Sequence, residues 1–137
     1  MPTLKAGCFL IDLKNKKIAL VYREKHNDYS FPKGHLEANE TLKQCAIRET
    51  EEETKRIPKV LDIEPNIENY TTMAGEQCQC HMYFALDAGT SKNTSTDTHQ
   101  TFWFDIDEVE GKISYGGLTE VWLEVKPIIK SILEQSF

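Results

Sequence analysis

The sequence predicts an α/β fold, a mixed β-sheet with helices packed on it. Two observations predict it. The apolar pattern runs in the order strands, helix, strands, helix along the chain. Near the C-terminus, Val121, Trp122, Val125, Ile128, Ile129, Ile132 and Leu133 recur at helical spacing. With 137 residues, 39% of them hydrophobic and 28% charged, the chain has the size and composition of one domain, spanning residues 1–137, with a core of its own.

Thr3 to Leu13 is rich in apolar residues without a helical period, which predicts a well-buried strand. Asp12 to Lys16 reads as a polar turn and Lys17 to Tyr22 as a second strand, the two strands forming a hairpin. Arg23 to Ser30 is a charged loop leading into a dense central segment, Phe31 to Arg56. Within that segment Thr41 and Gln44 form a capping box, so a helix is expected over Leu42 to Thr54. Pro58 stops its continuation. Val60 to Ile67, Gln77 to Leu86 and Gln100 to Ile106 then read as strands, with a long polar loop from Asp87 to His99. Thr119 is the expected N-cap of the C-terminal helix, and Pro127 predicts a kink or two short helical pieces.

The net charge of −6 argues against a general nucleic-acid binder, and no stable nucleic-acid partner is expected. The first residues, from Met1 to Lys17, hold no apolar run long enough for a signal peptide or a span, so a cytoplasmic protein without a membrane partner is expected. Cys8, Cys45, Cys78 and Cys80 lack the paired spacing of a structural zinc site. The run Cys78-Gln79-Cys80-His81 fits strand alternation better than metal binding.

The chemistry concentrates in the central segment. On a helix, Leu42, Cys45, Ala46, Glu49, Glu52 and Glu53 share one face. Carboxylates occupy the end of that stripe, where apolar residues would continue the pattern. They repel one another and lie toward the negative end of the helix dipole. A compensating hard cation, magnesium or manganese, explains both costs. Glu51 points away and reads as surface charge. Upstream, Pro32 and Gly34 make a rigid turn, and Lys33 supplies a positive charge suited to a phosphate oxygen. A basic turn beside an acidic metal face is what phosphoryl chemistry needs. Asp105, Asp107 and Glu108 read as a strand end and turn rather than a second metal site.

Gly34, five residues, Glu40, seven residues, Arg48-Glu49, two residues, Glu52-Glu53 is similar to the Nudix box, and every charged position matches. The resemblance implies an α/β/α sandwich that hydrolyses a nucleoside diphosphate linked to another moiety. It also implies that Glu49, Glu52, Glu53 and the Gly34 carbonyl bind metal, that Glu40 braces the loop or helps bind metal, and that Arg48 holds the carboxylates. Among the box residues Glu52 is the candidate general base, a role that in this family can also fall to a residue of another loop. Thr50, Lys55 and Arg56 depart from the box, which has an aliphatic residue, glycine and another aliphatic residue there. The glycine suits a left-handed helix end, and Ile57 could supply the missing apolar contact.

The run Phe31-Pro32-Lys33-Gly34-His35-Leu36-Glu37 resembles the entrance of diadenosine tetraphosphate hydrolases within that family. This implies a dinucleoside polyphosphate substrate, with Lys33 and His35 near the polyphosphate and Glu37 in support. His35 is alternatively a loop histidine satisfied by backbone. Where ADP-ribose hydrolases tend to carry proline, this chain has Thr71, Thr72 and Met73. Tyr70 lies close to a family tyrosine position, and His99 close to a family histidine that follows a glutamate, which is Thr98 here. Arg23 is a further candidate substrate contact. Tyr29, Tyr70, Tyr83 and Trp103 are candidates to stack on a base, each of them alternatively a core residue. The alternatives within the reaction class are a nucleotide-sanitising pyrophosphatase, an RNA 5′-end pyrophosphohydrolase and a nucleotide-sugar hydrolase. Outside it stands a nucleotide-binding module without catalysis. A monomer or a homodimer is expected.

Overall fold

The computed structural model describes residues 1–93, 99–113 and 116–135. Its elements are β1 (Thr3–Asp12), β2 (Lys17–Arg23), β3 (Asp28–Ser30), β4 (Lys33–His35), α1 (Leu42–Thr54), β5 (Arg56–Val60), β6 (Asn66–Thr71), β7 (Gln77–Thr90), β8 (Gln100–Phe104) and α2 (Gly116–Leu133). A short 3₁₀ turn covers Val109–Gly111. The strands form one mixed sheet with the path β3-β2-β1-β7-β5; β4 pairs with β1, β6 with β7 and β8 with β2. Only the β1–β7 pairing is parallel, from Thr3↔Cys78 to Ile11↔Leu86; the other described pairings are antiparallel.

β1 is apolar throughout because both of its faces are covered. Phe9 and Ile11 join Ile18, Leu20, Phe31, Met82 and Phe84 in a core packed on α2. Ala6, Cys8 and Leu10 face the other way, onto Cys45 and Ala46 of α1. A helix therefore lies on each side of the sheet, the three-layer arrangement expected from the sequence. In α2 the buried stripe includes Val121, Trp122, Val125, Ile129, Ile132 and Leu133, while Ile128 is exposed.

Several local expectations change. The hairpin of β1 and β2 is short, with the registers Ile11↔Ile18 and Asp12↔Lys17. Beyond it β1 turns its edge to β4, pairing Lys5 with His35 and Gly7 with Lys33. The expected charged loop after β2 folds back as β3, pairing Arg23 with Asp28, where Arg23 and Asp28 also bond side chain to side chain at 2.8 and 2.7 Å. The single strand expected over Val60 to Ile67 is two strands. β5 and β6 share one long edge of β7, and the chain bends between them at residues 61–65. Pro58 lies inside β5 beside a register shift, the kind of irregular position a strand can give to proline.

β7 runs on to Thr90, so the expected loop from Asp87 starts later; Thr98 lies outside the described residues. β8 ends at Phe104, short of Ile106. α2 starts at Gly116, which places Thr119 inside its first turn and not at the cap, and it continues through Pro127 as one helix.

α1 follows its sequence signals closely. Gln44 N donates to Thr41 Oγ1 at 3.1 Å, and Thr41 N donates to Gln44 Oε1 at 2.8 Å, completing the capping box. The helix ends at Lys55 in the left-handed conformation, φ 58° and ψ 28°, with its N–H donating to the Glu51 carbonyl. The left-handed end that usually takes glycine is thus kept with a lysine. Ile57 does not supply the apolar contact expected of it, being 39% exposed; Pro58 is the buried residue there. Glu51 is half-buried and accepts from the Ser91 hydroxyl at 3.4 Å, so it is more than surface charge.

Substituting Lys55→Gly removes the Cβ penalty of the left-handed conformation and should stabilise the protein by about 1 kcal/mol. Urea denaturation of the two proteins measures this, and an unchanged or lowered midpoint refutes it.

Candidate active site

The turn before β4 is pinned from below. Phe31 is buried, edge-on to Phe9 at 4.8 Å between ring centres and stacked on Trp122 at 5.8 Å. Gly7 gives the turn room: a Cβ there would lie 2.0 Å from the Pro32 carbonyl oxygen. Gly34 lies against α1 in the same way, since its Cβ would lie 2.0 Å from Glu49 Oε2. Backbone contact across both glycines brings the Pro32-Lys33-Gly34 run onto the acidic end of α1.

There Arg48 organises the carboxylates. Its Nε donates to Glu40 Oε2 at 3.0 Å and its Nη2 to Glu40 Oε1 at 2.8 Å, a two-point clamp. Nη1 donates to Glu49 Oε1 at 2.6 Å and reaches both Glu52 oxygens at 3.4 Å. Nη2 also donates to the His35 carbonyl at 3.0 Å, which ties α1 to β4. Glu40 Oε1 accepts the Glu37 amide at 2.9 Å and so closes the loop between β4 and α1. These bonds, chiefly the one from Arg48, hold the Glu40 carboxyl down at about 2 against an ordinary 4.5. In turn Glu40 most of all, and then Glu49, push the Arg48 guanidinium upward.

Glu53 is 6% exposed and accepts the Lys33 amide at 2.9 Å. The Cys45 thiol lies under the loop, 3.7 Å from the Gly34 carbonyl and 3.5 Å from that of His35. Burial, with Glu40 next, raises this thiol to about 12.

A cleft of about 390 Å³ opens over this arrangement, lined by Lys5, Arg23, Lys33, Gly34, His35, Glu37, Glu49, Glu53 and His99 among others. It brings together Arg23, Lys33, His35 and His99 from distant parts of the chain. Tyr70 stands beside it, with the Lys33 ammonium 5.6 Å from its ring centre. Three aromatic candidates lie elsewhere. Tyr83 packs on the α1 face with Val60 and Leu42, and lines a separate hollow with Lys43 and Leu61. Tyr29 belongs to an aromatic cluster with Tyr22, Phe102 and Phe104. Trp103 lies toward Asp12, Lys17 and Asp87. Asp105 pairs with Lys17 at 2.8 Å and Asp107 with Lys126 at 3.2 Å, both structural ion pairs. Lys5 was missed from the sequence. Its only signal is position: β1 pairs Lys5 with His35, on the same sheet face as Lys33.

A model of the Nudix domain family matches residues 1–121. The chain belongs to the Nudix family. A Nudix hydrolase from Nitrosomonas europaea has the same fold at 23% identity and a TM-score of 0.75, with 100% of this chain and 98% of that one covered. An Ap4A hydrolase from C. elegans, in a binary complex, gives a TM-score of 0.77 at 18% identity, covering 94% of this chain and 98% of the other. A Nudix-family hydrolase from Clostridium perfringens gives 0.74 at 14% identity, over 96% and 99%. As a Nudix hydrolase the chain is a pyrophosphohydrolase, of the class that acts on small nucleotide substrates. Among the described residues no helix is long and apolar enough to cross a membrane.

The family generally uses divalent metal ions, and the donor chemistry here suits one. Glu40, Glu49 and Glu52 gather on the Arg48 guanidinium, while the Lys33 and Glu37 amides serve Glu53 and Glu40; four carboxylates set against that guanidinium leave negative charge in excess. Among the described residues, no three acidic, histidine or cysteine side chains stand close enough together to hold an ion as they are. Arg48 and the Lys33 amide take up carboxylate oxygens instead.

Two outcomes test this geometry. Gly34→Ala should displace the Glu49 carboxylate and lower hydrolysis at least about 100-fold with the fold retained; turnover measured beside circular dichroism decides it. Glu40 titrates below its ordinary 4.5 when folded, so its clamp contributes fully above that pH and is lost as pH falls toward 2. Glu40→Gln should flatten the fall in stability within that window, read from denaturation midpoints, and leave the slope above it unchanged.

Proposed function

We propose that residues 1–137 act as one divalent-metal-dependent Nudix hydrolase domain that cleaves a phosphoanhydride bond of a nucleoside polyphosphate, with a dinucleoside polyphosphate such as diadenosine tetraphosphate as the preferred substrate. One observation carries this reading. Arg23, Lys33, His35 and His99 share a single cleft with Glu49 and Glu53, so two cations and two hydrogen-bonding imidazoles for a polyphosphate face carboxylates suited to a hard metal. The likeness to Ap4A hydrolase structures supports the substrate class through the fold.

Glu49, Glu52 and Glu53, with Glu40 and the Gly34 carbonyl, would hold magnesium or manganese. Such an ion neutralises phosphate charge and lowers the pKa of a water it holds. The chain's own groups do the rest. Lys33 and His35, at the mouth of β4, orient the phosphate chain, and Arg23 is kept extended by Asp28. Arg48 fixes Glu49 and Glu52 relative to β4 through the His35 carbonyl. Glu52 is the proton acceptor for the attacking water. It is the most solvent-accessible of the three box carboxylates, and its contacts to Arg48, at 3.4 Å, are longer than that of Glu49. Water attack on a phosphorus breaks one phosphoanhydride P–O bond and yields two phosphorylated products.

Glu52→Gln and Glu53→Gln should each lower turnover by orders of magnitude without unfolding the protein. A nucleotide panel incubated with magnesium, with both products identified by mass, checks this and the substrate together. Turnover of the variants equal to wild type would sink the assignment of these groups. Binding without turnover of any nucleotide by the wild type would favour a non-catalytic module.

A further inference from the structure

Two lysines converge on one tyrosine beside the cleft. The ammonium groups of Lys5 and Lys33 each lie 5.6 Å from the centre of the Tyr70 ring, within cation–π range. Sheet register explains the meeting. Gly7↔Lys33 and Lys5↔His35 place both lysines on the face of β1 that carries Phe9. On the same face, Lys5↔Cys80 links β1 to β7, and Tyr70↔Cys78 links β7 to β6. Among the described residues neither ammonium takes part in an ion pair or a hydrogen bond. The facing carboxyls are Glu68, half-buried and raised by that burial while Lys33 draws it down, and Glu76, held by the Thr3 hydroxyl and the Cys78 thiol. Like charges gathered at one ring favour an anion between or above them.

The Tyr70 ring is partly buried, and its face is already engaged by the two ammonium groups. Besides the two ammonium groups it touches the apolar core under α2. A nucleobase stacking on it would have to displace a lysine.

We infer that Lys5 and Lys33, set in place by the Tyr70 ring, form a seat for phosphate groups of the substrate's polyphosphate chain, and that Tyr70 is a positioning residue and not a base-stacking one. The seat rests on the nucleoside polyphosphate reading above, and extends it to Lys5, a residue with no place in the Nudix box. A phosphate chain entering the cleft would then meet Arg23 and His99 toward β2 and β8, and the lysines Lys33 and Lys5 toward β6.

The test compares two probes by calorimetric titration in excess magnesium: inorganic tripolyphosphate, which has no base, and a methylene-bridged, non-cleavable analogue of diadenosine tetraphosphate. Lys5→Met and Tyr70→Leu should each weaken both probes by the same factor, about 5- to 10-fold, as expected for loss or misplacement of one charge-assisted phosphate contact. Tyr70→Phe, which keeps the ring, should bind both probes like the wild type. Circular dichroism and the unchanged affinity of Tyr70→Phe separate misfolding from loss of the seat. If Tyr70→Leu weakens only the base-bearing analogue, Tyr70 stacks on a base and the inference is overturned. It is overturned equally if Lys5→Met leaves tripolyphosphate binding unchanged, or if the wild type does not bind tripolyphosphate. Tripolyphosphate binding that falls in Lys5→Met, in a protein that cleaves no nucleotide, would uphold the seat while refuting the proposed substrate.

Discussion

The site depends on one guanidinium. Arg48 projects from the middle of α1 and bonds Glu40 in the loop before the helix, its neighbour Glu49, Glu52 one turn on, and the His35 carbonyl of β4. Without it, the carboxylates on the last turns of α1 would repel one another at the negative end of a helix dipole. With it, the repulsion becomes a fixed geometry, because a planar fork of five donors can satisfy several acceptors at once. A lysine could neutralise one carboxylate but could not span a loop, a strand and two helical turns.

The helix that bears this cluster was legible in the sequence because its determinants are local. A capping box needs two residues three apart, and a shared face needs only the helical repeat. The spacing of Gly34, Glu40, Arg48, Glu49, Glu52 and Glu53 was likewise readable as a family pattern. What escaped was set by pairing between distant strands. β3 and β4 have three residues each, too few to show alternation, and they exist because β2 and β1 offer them edges. The break between β5 and β6 reflects the length of β7, along whose edge both lie, and not a signal of their own. Lys5 joins the cleft through the register of β1 and β4, and Tyr83 leaves it because alternation along β7 turns that side chain to α1.

The departures from the box settle differently. Lys55 keeps the left-handed helix end, and its ammonium returns to the Glu52 carbonyl at 2.6 Å. Thr50 is fully buried where an aliphatic side chain is usual, and among the described residues its hydroxyl has the Cys8 thiol as its polar neighbour. Arg56 turns outward and clamps Asp87 through contacts of 2.8 to 3.2 Å, so a polar tie across β5 and β7 stands where an apolar contact was expected. All three changes touch the support of α1, and none removes a carboxylate from the cluster.

The parallel pairing of β1 with β7 has a consequence for how the molecule is made. Thr3 must find Cys78 and Ile11 must find Leu86, partners separated by more than half the length of the chain. Closing so long a loop is slow, because its entropic cost falls due before the contacts that offset it form. During synthesis β1, with Phe9, Leu10 and Ile11 along it, therefore waits with an open apolar edge until more than half of the chain has followed. The lysines at 14, 16 and 17 stand immediately beyond that strand. Their charge disfavours the meeting of two such edges on neighbouring nascent chains. The cleft, built between β1, β4 and the end of α1, takes its final form only when that wait is over.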